Sequence, residues 1–203
     1  MHDLFVPPWA RLSRVIVVGI LGATGGAVLE IASRGAATGA RTEVVGAVPI
    51  GDSGDRLLLQ LAAAGVGHAT VTRSPASSPE SASDPSESPI EPADLELALR
   101  YLPDVRAIIL VAPTPALLAT AAAASGFSGA ALVVVGSVDA ATLDALPAPQ
   151  PIVLEPPSHD PDGAFAGLVA AFAVRLEAGE APATAWTSTL ATLAVEAVPR
   201  EVD

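Results

Sequence analysis

The sequence predicts an α/β fold in which a mostly parallel sheet is covered by helices on both faces, within one domain spanning residues 1–203. Three observations predict it. Apolar segments of strand length alternate with segments of helix length along most of the chain, the rhythm of repeated β-α-β units. The strongest run, residues 14–21 (RVIVVGIL), stays apolar after its arginine instead of alternating, as a strand buried on both faces must. Hydrophobic residues make up 51% of the chain but aromatics only 3%, so the interior is filled by Ala, Val and Leu. The length of 203 residues is enough to enclose one sizeable core.

The elements follow in order. After the strand at residues 14–21, a helix is expected over 25–38, closed by Gly39. Residues 42–48 form a second strand. Asp52 or Ser53 caps a helix that runs through Ala64 and stops at Gly65. Residues 68–72 are a short third strand. Residues 74–92 (SPASSPESASDPSESPIEP) then change character: Pro, Ser and acidic side chains with a single large aliphatic, Ile90, too little apolar surface to offset the entropy of ordering. This segment is read as a flexible linker inside the domain, a solvated loop before a phosphorylated or partner-binding one. Helix, strand, helix, strand, helix and strand follow over 93–101, 107–111, 115–124, 131–135, 139–146 and 152–155. Two Ala-rich helices, 163–178 and 181–197, end the chain.

Charge narrows the function classes. The net charge is -12, from 22 acidic and 10 basic groups, and every basic group is arginine. Such a surface repels a phosphate backbone, so nucleic acid is not an expected partner. Without lysine there is no P-loop lysine, Schiff base or Tyr-x-x-x-Lys pair. Without cysteine there is no disulfide, thiolate metal site or cysteine nucleophile. Residues 107–138 carry no charge, but Pro113, Pro115, Gly126 and Gly129 divide them into pieces shorter than the ~20 residues of a membrane helix. Residues 1–9 lack the pattern of a leader peptide. The expectation is a cytoplasmic protein that does not enter a membrane.

Two blocks carry a resemblance. From Gly25 to Val66 stand Gly25-Gly26, the turn Gly39-Ala40, the strand Glu43-Val44-Val45-Gly46-Ala47-Val48, then Gly54, Leu57, Leu58, Leu61 and Gly65-Val66. From Ile152 to Val198 stand Asp160-Pro161-Asp162-Gly163-Ala164-Phe165-Ala166-Gly167 and the Ala-rich helices. Together the blocks cover almost half of the chain. They resemble the ribokinase-like (PfkB) sugar and nucleoside kinases: the Gly-Gly helix start, the Val-Gly-x-Val-Gly-Asp-Asp strand, and the Gly-Ala-Gly-Asp-x-Phe signature aligned on Ala164-Phe165.

The resemblance implies a three-layer α/β/α ribokinase-like core. It implies ATP with magnesium as cofactors if the chain is active, a nucleotide-binding turn at Gly163, Ala164 and Gly167, and substrate contacts from Gly25, Gly26 and Glu30. The departures from the pattern share one direction. Asp160, Pro161 and Asp162 stand at the Gly-Ala-Gly positions, and Gly163 stands where the catalytic aspartate belongs. Glu30 replaces an asparagine, and Pro49-Ile50-Gly51 replaces Gly-Asp-Asp. Only Gly22-Ala23-Thr24 separates Leu21 from Gly25, where part of the lid is expected, so the lid is read as absent. A register shifted by one residue makes Asp162 the catalytic base instead.

Phosphoryl transfer depends on neutralising charge at the transferring oxygens, and carboxylates at that turn oppose it. The expected function is therefore a catalytically degenerate kinase homologue that binds a small ligand or a protein. One alternative is a minimal ATP-dependent sugar or nucleoside kinase using Asp162. Another is an NAD(P)-binding protein, because Gly22-Ala23-Thr24-Gly25-Gly26 after a strand also resembles a dinucleotide-binding turn. No metal site is assigned. His159, Asp160 and Asp162 read first as a helix cap and only second as a weak cation site. His2, His68, Ser158 and Thr187 have no visible catalytic partner, and Trp186 is expected to pack in the core or an interface. Removing a lid exposes a sheet edge, through which the chain could self-associate.

Overall fold

A computed structural model describes residues 13–21, 26–74, 90–102, 104–158, 160 and 162–196. The expectations for His2, Gly25, His159, Pro161 and most of the Ser/Pro-rich linker lie outside these residues.

Strands β1 (Arg14–Val18), β2 (Thr42–Pro49), β3 (Gly67–Ser74), β4 (Val105–Val111), β5 (Ala131–Val135) and β6 (Ile152–Leu154) form one sheet in the order β3-β2-β1-β4-β5-β6. Every pairing is parallel. Helices α1 (Gly26–Ala37), α2 (Asp52–Ala63), α3 (Pro92–Tyr101), α4 (Pro115–Ser128), α5 (Ala140–Asp144), α6 (Ala164–Glu177) and α7 (Pro182–Glu196) alternate with the strands and then close the chain.

Alternation within the buried strands sorts the core into two layers. Val15 and Val17 of β1 face Val28 and Ile31 of α1, Leu57 and Leu61 of α2, and Val169 and Phe172 of α6. Ile16 and Val18 face Leu95 of α3 and Leu117, Leu118 and Ala121 of α4. The α/β/α layering expected from the sequence is thus present, with β1 at the centre. Trp186 packs edge-on against Phe172, with ring centroids 5.3 Å apart and an interplanar angle of 85°. This is the core role read for it, and such pairs contribute about 0.5–1.5 kcal/mol beyond burial.

Several boundaries differ from expectation for physical reasons. The first strand stops at Val18, although Leu21 is only 2% exposed. Leu21 is buried in the hydrophobic layer beneath α1 from a loop, so an apolar run overstates strand length. Asp52 and Ser53 lie inside the first turn of α2 and do not cap it. The cap position is Gly51, at φ 107°, a conformation that disfavours side chains and lets the chain pass from β2 into α2 within two residues. α4 runs four residues beyond Ala124, to Ser128. Asp139, expected as the first residue of its helix, is the N-cap of α5, accepting from the Thr142 amide at 2.8 Å.

Candidate functional site

The strand order reverses between β1 and β4, so the connections leaving their carboxyl ends lead to helices on opposite faces of the sheet. The connections after β1 and β6 lead into α1 and α6, which lie on the same face of the sheet and pack together. Of the residues expected to bind substrate and nucleotide, Glu30, Gly163 and Gly167 sit where these two helices meet.

On α1, Glu30 and Arg34 are one turn apart and paired, with Arg34 Nη2 3.1 Å from Glu30 Oε1. The same Nη2 donates to the main-chain carbonyl of Asp162, at 3.0 Å. This ion pair lies against the start of α6. Gly163 is the N-cap residue of α6 in the left-handed region, at φ 64°. A Cβ there would collide with Glu30 Oε1 and would stand 2.7 Å from Arg34 Nη2. One turn further on, a Cβ at Gly167 would touch Arg34 Nη1 at 3.5 Å. The structure therefore brings Glu30 together with Gly163 and Gly167. In place of open backbone amides, the two glycines provide room for an ion pair.

Three amides around the start of α6, those of Gly163, Phe165 and Gly167, are also occupied. Asp160 Oδ2 accepts from the Phe165 amide at 3.1 Å, and the Asp160 carbonyl accepts from the Gly163 amide at 3.3 Å. The Gly167 amide is taken by the Gly163 carbonyl at 3.0 Å, as the first regular bond of the helix. The N-cap position expected for an aspartate is held by Gly163, and Asp160 instead supplies a carboxylate to a first-turn amide from three residues earlier. Its carboxylate neutralises the positive end of α6 from inside the chain. A phosphate at this helix start would compete with Asp160 for the Phe165 amide and would meet its carboxylate, which opposes an anion there.

The remaining predicted residues are placed as follows. Asp162 is exposed, and among the described residues no hydrogen bond or ion pair reaches its carboxylate; only its carbonyl is engaged. Ala164, also exposed, opens α6. Gly26 opens α1 at φ 55°, one turn before Glu30 on the same helix face. Among the described residues no group of three His, Asp or Glu is arranged to hold a metal ion, and no helix is long and apolar enough to cross a membrane. Arg34 is the residue that sequence reasoning missed. Its i,i+4 spacing from Glu30 was visible, but its contact with Asp162 spans 128 residues of sequence and carries no local signal.

No family model matches this sequence, and no curated protein does. Solved structures do match. A ribokinase from Arabidopsis thaliana, complexed with ribose and ATP, is 14% identical with a TM-score of 0.61, covering 88% of this chain and 90% of its own. A PfkB protein from Polaromonas sp. JS666 is 13% identical with a TM-score of 0.56, covering 92% of this chain and 97% of its own. The structure named Sa239 is 12% identical with a TM-score of 0.61, covering 93% of this chain and 97% of its own. The likeness establishes the fold: a ribokinase-like α/β/α arrangement over most of the chain.

Proposed function

We propose that this ribokinase-fold protein is a catalytically degenerate counterpart of the PfkB sugar and nucleoside kinases, acting by binding a small ligand or a protein partner. The observation that carries the reading is the Asp160 carboxylate bonded to the Phe165 amide at the start of α6. A nucleotide phosphate at that turn would have to displace this carboxylate and accept two adjacent aspartates as neighbours. Gly163 offers no proton acceptor at the position where the resemblance puts the catalytic aspartate. Glu30 and Asp162 bring two carboxylates to the site against the single guanidinium of Arg34, whose charge is already paired. That balance favours a neutral, hydroxyl-bearing or cationic ligand over a polyanion.

One observation favours a second reading, the minimal kinase. The Asp162 carboxylate is exposed and unpaired one residue before the helix cap, where a base acting on a sugar hydroxyl could sit. ATP and magnesium would then be its cofactors. The purified protein is incubated with ATP, magnesium and a panel of sugars and nucleosides. No turnover above background is expected. Turnover abolished by Asp162→Asn would replace the binding-module reading with the kinase. The dinucleotide reading shares the strand order β3-β2-β1-β4-β5-β6 with dinucleotide-binding domains. Stabilisation by NADP but not by ATP in a thermal-shift screen would select it.

A further inference from the structure

We draw no further inference here: the strongest candidate, the largely apolar cavity between α3 and α4 with Phe127 exposed at its mouth, carries nothing because no described residue shows what covers it.

Discussion

Removing the Asp160 carboxylate should trade stability for anion binding, and both effects can be sized from the geometry. Asp160→Ala deletes the acceptor for the Phe165 amide. Loss of a side-chain acceptor for a first-turn amide, sized like the loss of an N-cap bond, costs about 1 kcal/mol, which lowers Tm by about 2–4 °C for a domain of this size. Adding Glu30→Asn removes the carboxylate packed on Gly163 and frees Arg34. That pair is nearly half exposed, so its loss contributes well under about 1 kcal/mol. The double variant should then present an unoccupied helix start flanked by a free guanidinium. A phosphate ligand at 100 times its Kd would stabilise it by about 2.7 kcal/mol, raising Tm by about 5–10 °C. Thermal shift with millimolar ATP-magnesium and with inorganic phosphate provides the assay, wild type beside the double variant. The wild type should not respond, and the double variant should. If ATP raises the wild-type Tm by several degrees, the internal carboxylate does not block the site and the reasoning fails. If Asp160→Ala alone leaves Tm unchanged, the bond to the Phe165 amide was never formed.

Gly163→Ala should destabilise by about 1–2 kcal/mol from the left-handed backbone alone, with a further loss from collision with Glu30; urea unfolding should show Glu30→Ala recovering only the second part. Arg14 is 6% exposed at the start of β1, and its pKa is lowered by burial first and by the nearby Arg41 second, while Glu43 and Asp104 oppose the shift. Its carboxylate partner Glu43 lies 3.7 Å away. Glu43→Gln should therefore cost up to about 3 kcal/mol by leaving the buried guanidinium with Asp104 as its remaining nearby carboxylate. Replacing both, with Arg14→Met and Glu43→Leu, should restore most of it in the same assay. Asp139 is held below the ordinary aspartate range, first by the Thr142 hydroxyl and then by the Thr142 amide. A depressed folded value means its contribution is present above the unfolded pKa and is lost as pH falls through the folded one. The stability gap between wild type and Asp139→Ala should thus be full at neutral pH and close in acid, as the pH falls beneath the ordinary aspartate range. A gap that stays constant across that range would assign the effect to packing instead.

The layers were legible because burial on both faces leaves a mark on composition. Strands such as Val105–Val111 and Ala131–Val135 are near-continuous aliphatic runs, and Gly39, Gly65 and Gly129 punctuate helix ends. Loop burial was not legible: Leu21 reads as strand because hydrophobicity records burial and not dihedral angles. Nor was the cap of α2, because Asp52 and Ser53 are good caps by composition while the backbone entering from β2 puts Gly51 there. At the candidate site, a carboxylate near the start of α6 was readable from local preference. Arg34 was not, since the sequence places Glu30–Arg34 on a helix face but says nothing about the turn it packs against. The cavity between α3 and α4 depends on how two helices splay, which no local pattern encodes.

The two features at the α6 start support each other energetically, and that bears on whether a ligand belongs there. A helix that binds anions must keep its first amides open in the free protein, and those unpaired donors weaken the local structure until the ligand arrives. Here Asp160 fills the donor at Phe165, and Arg34 fills the carbonyl of Asp162. Glu30 then balances Arg34, and Gly163 and Gly167 make room for both side chains. The Asp160 contact satisfies a donor that an anion site would leave open, and the Arg34 contact anchors the turn beside it. Restoring anion binding by one substitution would leave the partner groups mismatched: Glu30 would still repel the phosphate, or Arg34 would lose its counter-charge. On the proposed reading, the Asp160 bond to Phe165 and the Glu30 carboxylate packed on Gly163 both oppose an anion at this turn, so changing either alone leaves the other in place.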